Sequence, residues 1–353
     1  MSELIHAQNG TNGLRRLFLT TVSALALFAV ASPAEAAAND ADNPLVWVEL
    51  GGQFDAVNDG HDAFTPPYLL TPRPSFETGS PESLQHGPHL GWDADIKLTL
   101  QPAESDLVLS ASVRYGRSLR SRKEHNQPPP IAISAYSGYA FGPFAFYEGT
   151  ARTLDTHMIA DFRAGRDVGL GMFGLRGSSV LSLGVRYANF DSTSDTQLSS
   201  QPTILPTAAH LFHATAHIHR SFAGVGPSIS WDASTPFVGN PENGSLWLDW
   251  GANAAILFGK QNVGGSHETR EQARVTSGAI YSHHPLIARS HGRNVPNVGG
   301  FAAFSYRLQD VKLSVGYRAD LFFGAIDGGV DVAKSYDRGF YGPFASISIG
   351  IGG

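Results

Sequence analysis

Ten segments of the chain alternate apolar and polar residues, and the clearest of them runs from Leu90 to Leu100. Its even-numbered positions are apolar, and its odd-numbered positions hold glycine, charged or polar residues. Successive side chains of a strand point to opposite faces, so this segment has one apolar face and one polar face. Strands cross a bilayer only as a closed sheet, because every backbone polar group needs a partner there. The alternation therefore predicts an all-β fold, a transmembrane antiparallel β-barrel.

The connections between these segments alternate between short and long, which is typical of an up-and-down barrel with long loops on its outer side. We predict about ten strands, near residues 45–56, 88–100, 107–116, 154–166, 178–190, 222–234, 245–258, 297–308, 311–324 and 340–352. Twelve strands remain an alternative, because 131–147 and 209–220 are also compatible with strands. We expect long extracellular loops near 57–87, 117–153, 191–221, 259–296 and 325–339.

Residues 1–36 have the pattern of a signal peptide, which would precede a barrel domain at 37–353. Two arginines stand before its apolar segment at 17–30, and a small-residue cleavage site ends at Ala36. The paired arginines also resemble a twin-arginine signal. That route carries folded cargo, whereas a barrel must reach its membrane unfolded, so we favour the general secretory route. The expected location is the bacterial outer membrane.

Composition excludes several classes of protein. The chain of 353 residues has no cysteine, which excludes disulfides and thiolate metal sites. Its formal net charge of −6 argues against nucleic acid as a partner. No phosphate-binding loop, serine-nucleophile elbow or zinc-protease motif occurs in a suitable setting. We therefore expect no enzyme activity, no cofactor and no metal.

Aromatic residues collect where the predicted strands meet the long loops. Amphipathic rings prefer the headgroup depth of a bilayer, so this placement predicts an aromatic girdle. The girdle residues are Phe54, Trp92, Tyr115, Tyr187, Phe258, Phe323 and Tyr341. Pro227 interrupts the outward face of the predicted strand at 222–234. Because proline removes a ladder donor, we predict a bulge or a strand end there.

The opposite parity of each strand identifies side chains that face the lumen. Seven acids face it: Glu49, Asp93, Asp95, Asp161, Asp232, Asp249 and Asp320. Seven bases face it as well: Lys97, Arg114, Arg163, Arg186, Arg307, Lys312 and Arg318. In one interpretation these charges line opposite walls of a wet channel and orient small polar solutes. In the other they pair and fill a narrow barrel. Equal numbers of each sign predict weak ion selectivity if the pore is open.

Two pairs of titratable residues raise the question of a hydrolase. Asp93 and Asp95 share a face near a loop end, as do Asp155 and His157. Such pairs can activate water, and they resemble the rim residues of outer-membrane proteases of the omptin type. Two-residue matches arise by chance in any alternating strand, so we expect ordinary lumen charges here.

Two further clusters lie in the predicted loops. His210, His213, His217 and His219 are dense, but imidazoles two residues apart on a strand stand about 7 Å apart, which is wide for one metal ion. We expect a histidine cluster that titrates near neutral pH. A run of bases at Arg117, Arg120, Arg122 and Lys123 opens the second long loop. It is either a solvated charge run or a site for lipopolysaccharide phosphates.

Several strands carry recognisable sequence motifs. GVRYA stands at 184–188, FAGVGP at 222–227, GYRADLFF at 316–323 and RGFYGPF at 338–344. With these motifs, residues 150–353 resemble the Legionella-type major outer membrane protein family. The resemblance implies a pore-forming outer-membrane β-barrel, and it transfers no catalytic residue.

The sequence as a whole favours a pore-forming outer-membrane protein that passes small polar solutes through a charge-balanced lumen. A closed structural or adhesive barrel that binds lipopolysaccharide or surfaces through its loops is the first alternative. A rim hydrolase of the omptin type is the second. The expected partners are outer-membrane lipids and lipopolysaccharide, small solutes or ions and the barrel assembly machinery, with no nucleic acid.

Overall fold

The structure is a computed structural model that describes residues 46–58, 88–102, 105–126, 148–168, 177–200, 203–205, 208–240, 244–273, 279–285, 288–328 and 335–352. Thirteen strands form within these residues. They are β1 (Val46–Asn58), β2 (His89–Leu100), β3 (Leu107–Ser118), β4 (Ser121–Asn126), β5 (Glu148–Asp167), β6 (Ser178–Ser200), β7 (Thr203–Leu205), β8 (Ala208–Asn240), β9 (Gly244–Ala273), β10 (Ala279–Pro285), β11 (Arg289–Leu308), β12 (Val311–Asp327) and β13 (Ser335–Ile351). The predicted signal peptide at 1–36 and the possible strand at 131–147 lie outside the described residues.

Ten of these strands close into a ring. The order around it is β1, β2, β3, β5, β6, β8, β9, β11, β12 and β13, and every neighbouring pair is antiparallel. The first and last strands pair along most of their length, from Val46 with Ile351 to Asn58 with Gly339. The short strands β4, β7 and β10 add to β5, β8 and β9 outside this ring. The predicted transmembrane up-and-down barrel of ten strands is confirmed.

Several strands run far into segments that the sequence assigns to loops. β6 continues to Ser200 and β8 begins at Ala208, so most of the expected loop at 191–221 is a continuation of the wall. The possible extra strand at 209–220 is the first part of β8. β9 and β11 likewise take up most of the expected loop at 259–296. The loop bounds at these two places were wrong.

The reason lies in the outward residues of these extensions. On β6 the outward positions beyond Tyr187 include Asp191, Thr193 and Asp195. A wall that rises above the lipid needs no apolar outer face, so the alternation that marks a membrane strand disappears there. The period-two backbone continues nevertheless, and Ser192, Ser194 and Thr196 stay buried on the inner face.

The outer surface of the barrel is an apolar belt. Large side chains are exposed on it, among them Leu183 and Val185 on β6 and Val315 on β12. On β9, the eleven residues from Leu248 to Phe258 span about 33 Å along the strand, or about 25 Å of height at the usual strand tilt. This height matches the apolar band of a transmembrane barrel. The described residues include no helix that is long and apolar enough to cross a membrane.

Aromatic side chains border this belt at both ends. All seven predicted girdle residues lie on the outer surface toward the long loops, and Phe54 is the most exposed of them at 76%. The sequence analysis missed a second group at the short-turn end: Trp231, Phe237, Phe304 and Tyr306.

Pro227 lies on the outer face of β8 with no bulge and no strand end, so that prediction was wrong. Val225 pairs with Phe258 of β9 and Ser228 pairs with Ala255, which keeps the same register on both sides of the proline. Pairing with β9 is absent at residues 226 and 227, while Val185 of β6 still pairs with Pro227. One missing donor therefore interrupts one ladder locally and leaves the strand intact.

Candidate functional site in the barrel lumen

The lumen contains a charged cavity of about 260 Å³. It reaches Ser178, Ser234 and Lys312, which stand next to short turns, and extends inward to Arg114 and Arg186. Twelve of the fourteen charged residues assigned to the lumen line it. They are Glu49, Asp95, Lys97, Arg114, Asp161, Arg163, Arg186, Asp232, Asp249, Lys312, Arg318 and Asp320. The other two lie elsewhere. Arg307 stacks over the ring of Trp47, 5.0 Å from its centroid, and Asp93 belongs to a deeper cluster described below.

Ion pairs in this cavity cross from one wall to another. Arg114 on β3 donates to Asp320 on β12 over 2.6 Å, although these strands are four places apart in the ring. Arg186 on β6 donates to Asp161 over 2.8 Å and to Asn253 on β9 over 2.7 Å. It also donates to Asn297 on β11. Arg114, Arg186 and Asp320 are buried, as expected for charges that are paired and hydrogen-bonded.

Other charges pair nearer the short turns and along the walls. Lys312 Nζ lies 2.7 Å from Asp249, and Arg163 Nη2 lies 3.0 Å from Asp161. Arg318 lies 3.6 Å from Asp95. The acids and bases assigned to the lumen therefore form a paired network around a cavity.

Beyond the charged cavity the lumen is apolar. We call this the apolar layer, a cluster of buried side chains from eight of the ten ring strands. Its members are Val57, Ile159, Ala188, Phe190, Phe222, Ala255, Leu257, Val295, Phe322, Ala325, Ile326 and Phe340. Ile159 also lines the charged cavity, so the two regions are adjacent.

The apolar layer reaches across the lumen. Phe190 on β6 and Phe340 on β13 belong to opposite walls, five places apart in a ring of ten, yet their ring centroids are 5.5 Å apart. Phe322 on β12 meets Phe190 edge-on at 4.8 Å, and Phe222 stacks on Phe190 at 5.9 Å. The four phenylalanine side chains are fully buried. The sequence analysis missed this layer, although parity places all four on the lumen side.

Buried charges flank the apolar layer. Arg338 on β13 donates to Asp155 on β5 over 2.5 Å, and both side chains are almost wholly buried. His157 Nε2 lies 3.8 Å from Asp55 Oδ2 and 3.8 Å from Asp93 Oδ2. The ring of His157 also contacts Phe340, with centroids 4.0 Å apart.

The structure does not bring the four residues of the possible hydrolase into one cluster. Asp93 and His157 meet, but Asp95 pairs with Arg318 and Asp155 pairs with Arg338. Asp93, Asp155 and His157 are buried in the lumen rather than placed at an open rim.

His217 and His219 of the histidine group share the outer face of β8, and each faces its own aspartate. His217 Nδ1 lies 2.5 Å from Asp195 Oδ1, and His219 Nε2 lies 3.4 Å from Asp191. Both imidazoles are about half exposed on the outer wall. The side chains of His210 and His213 lie outside the described part of the chain.

The basic run lies on the outer surface above the girdle residue Tyr115. The side chains of Arg117, Arg120 and Arg122 are exposed, and that of Lys123 lies outside the described part of the chain. Arg152 on β5 pairs in register with Arg122 on β4 and is also exposed, so it joins the patch. The sequence missed Arg152 because the two arginines are distant along the chain.

No protein-family model and no curated protein matches the chain. It is similar to the translocator domain of the autotransporter NalP from Neisseria meningitidis, with 10% identity, a TM-score of 0.27 and 97% of both chains covered. It is also similar to the toluene transporter TodX of P. putida, with 8% identity, a TM-score of 0.26, and 88% of this chain and 93% of that chain covered. The transport unit of the autotransporter AIDA-I from Escherichia coli gives 10% identity, a TM-score of 0.26, and 90% and 93% covered. TM-scores of this size do not establish a shared topology, so the fold assignment rests on the strand ladders described above.

Proposed function

We propose that the protein is a bacterial outer-membrane channel for small polar solutes and ions, and that the apolar layer is its gate. The observation that carries this proposal is the charged cavity inside a membrane barrel, which ends against a layer of apolar side chains. Hydrophobic constrictions gate channels because water leaves them when they narrow and returns when they widen. The resemblance of residues 150–353 to a pore-forming family also supports this function.

The composition of the cavity fits solutes of either charge. Six acids and six bases line it, so neither cations nor anions meet a net barrier. Its size of about 260 Å³ limits the solutes to small ones. A barrel with a purely mechanical role has no need of a wet cavity with so many ionised groups, because each of them costs desolvation energy unless it is paired or hydrated.

A closed structural barrel is the second candidate. The observation that favours it is the close packing of Phe190, Phe222, Phe322 and Phe340, whose rings are fully buried. A hydrolase is not proposed, because arginines already bind Asp95 and Asp155.

Single-channel recording in planar bilayers separates the two candidates. We expect the folded wild-type protein to conduct in rare, brief openings. The double variant Phe190→Ala/Phe322→Ala removes two rings from the middle of the apolar layer, so its open probability should rise several-fold. The matched control is Leu183→Ala, which removes an apolar side chain from the same strand on the lipid side, where Leu183 is 66% exposed.

The control variant should conduct like the wild type. Folding of each protein is checked by its altered migration on gels before and after heating. Silence of both the wild type and the double variant, when both are folded, would reject the channel and leave the closed barrel.

A further inference from the structure

Asp55, Asp93 and His157 form a buried cluster that the proposed channel does not use. They come from three strands, β1, β2 and β5. Their ligand atoms, one oxygen from each carboxylate and one imidazole nitrogen, all lie within 4.8 Å of one another. His157 Nε2 is equidistant from the two carboxylates, at 3.8 Å from each. The three side chains are at most 1% exposed.

A glycine allows this approach. Asp93 on β2 pairs in register with Gly116 on β3, and Gly116 pairs with His157 on β5, so the three residues lie on one rung of the sheet. A Cβ atom on Gly116 would stand 2.5 Å from His157 Nε2 and 2.7 Å from Asp93 Cβ. The missing side chain therefore lets the imidazole lie across β3 and face a carboxylate two strands away.

The polar atoms of the cluster have no hydrogen bonds among the described residues. This is true of both carboxylate oxygens of Asp55, both of Asp93, and Nε2 of His157. Buried polar atoms are nearly always satisfied, because an unsatisfied one costs free energy. Five such atoms in one cluster, with one from each residue within 4.8 Å of the others, indicate a ligand that binds both oxygen and nitrogen.

The charges around the cluster indicate the sign and the magnitude of the charge on that ligand. Arg114, Arg318 and Arg338 are the neighbouring bases, and each already has an acid as its closest partner, Asp320, Asp95 and Asp155 respectively. Asp93 lies 3.5 Å from Arg114 Nε, a secondary contact of a guanidinium that is bound to Asp320. Two carboxylates in excess of the local bases match a divalent cation.

We propose that Asp55, Asp93 and His157 bind one divalent transition-metal ion of the zinc class. Zinc accepts imidazole nitrogen at about 2.0–2.1 Å and carboxylate oxygen at about 2.0–2.2 Å, which places tetrahedral ligands about 3.3 Å apart. The two pairs that include His157 Nε2 are 3.8 Å apart and reach this geometry when each closes by about half an ångström. Calcium and magnesium prefer oxygen ligands alone, so the imidazole favours zinc or iron.

The ion would join three strands at the boundary between the charged cavity and the apolar layer. Because His157 contacts Phe340, a bound ion also fixes the position of one aromatic ring of that layer. The three ligands would tie β1 and β2 to β5 across the intervening strand β3.

The test uses the full chain without a histidine tag, refolded in detergent with EDTA and then again with ZnCl₂. Bound zinc is measured by elemental analysis after gel filtration. We expect one zinc per chain. Asp93→Asn and His157→Gln should lower the zinc affinity by at least about tenfold, because loss of even an outer-shell partner costs 10–100-fold. Co²⁺ in place of zinc should give visible absorption bands that are absent in His157→Gln.

Two further variants keep the test decisive. His219→Gln removes an exposed imidazole that also faces an aspartate, and it should leave the zinc content unchanged. Gly116→Ala keeps all three ligands but displaces the His157 ring, so it should also lose zinc while the barrel still migrates as a folded protein. A wild-type protein that binds no zinc, or zinc that persists in both folded His157→Gln and folded Gly116→Ala, would overturn the proposal.

Discussion

At the scale of single residues, the interior of this barrel depends on charge pairs that join distant walls. Arg338 and Asp155 are 183 residues apart in the chain and bind each other with almost no exposure to solvent. Removing one partner of a buried pair leaves the other charge without compensation, which costs about 3–5 kcal/mol. We expect Asp155→Ala to lower the free energy of unfolding by that amount, measured by urea titration of the protein in lipid vesicles.

The exposed pair between Arg166 and Asp106 provides the control. Its atoms are 2.8 Å apart, but the two side chains are 75% and 60% exposed. Because solvent screens such pairs, Asp106→Ala should change the free energy of unfolding by less than about 1 kcal/mol. Equal losses of unfolding free energy in the two variants would mean that burial does not make the Arg338–Asp155 pair more stabilising than an exposed pair.

At the level of single residues, the sequence predicted which side chains face the lumen. It did not predict which of these side chains bind each other. Parity alone placed Arg114, Asp320 and ten other charges around one cavity. It did not predict that Arg114 binds Asp320, because that contact depends on which strands face each other across the ring. Asp55 has the same parity as Glu49, but nothing in the sequence distinguishes it until the fold brings it to His157.

At the scale of strands, the alternation marks only the part of a strand that contacts lipid. β6, β8 and β9 run well past the girdle, and their outward residues there are polar. The inward residues change in the opposite sense, from Ser178 and Arg186 in the charged cavity to Phe190 in the apolar layer. The polar outward residues remove the pattern by which a membrane strand is identified, so the sequence predicted loops there.

The pairing of β4 with β5 leads to a prediction about lipopolysaccharide binding. It brings Arg122 and Arg152 side by side on the outer surface, and two adjacent guanidinium groups suit a phosphate because charge-assisted hydrogen bonds to phosphate are strong. We propose that this patch binds lipopolysaccharide phosphates. Arg122→Ser/Arg152→Ser should weaken lipopolysaccharide binding several-fold, measured by equilibrium titration of labelled lipopolysaccharide into the detergent-solubilised barrel.

Arg166→Ser is the control for this experiment, because it removes an exposed arginine at the short-turn end of the same strand. It should leave the binding unchanged. A loss of equal size in the control would show that total charge, and not the patch, determines the affinity.

At the scale of the whole molecule, ion selectivity is set by the sum of charges in the lumen. Six acids and six bases line the cavity, so the channel should discriminate little between potassium and chloride. Arg318→Ala leaves six acids facing five bases and should shift the reversal potential toward cation selectivity. The measurement uses a KCl gradient and the Phe190→Ala/Phe322→Ala background, in which openings are frequent.

Arg166→Ala, whose charge lies outside the lumen, should not move the reversal potential. An unchanged reversal potential in Arg318→Ala would mean that Arg318 does not line the conducting path.

The prediction of ten strands itself needed only the count of alternating segments. The even number, together with the pairing of β1 and β13, leaves no open edge in the described ring of ten strands.

The polar wall of β6, β8 and β9 above the girdle determines what an approaching antibody or phage would meet. The surface there is a hydrogen-bonded sheet, so a binder contacts every second residue of several strands and never a continuous stretch of sequence. Asp191 and Asp195 of one strand stand beside His219 and His217 of the next as one such surface. A linear peptide copied from this region would present the buried serines together with the exposed acids and would not reproduce it. Recognition of this wall therefore requires the folded barrel.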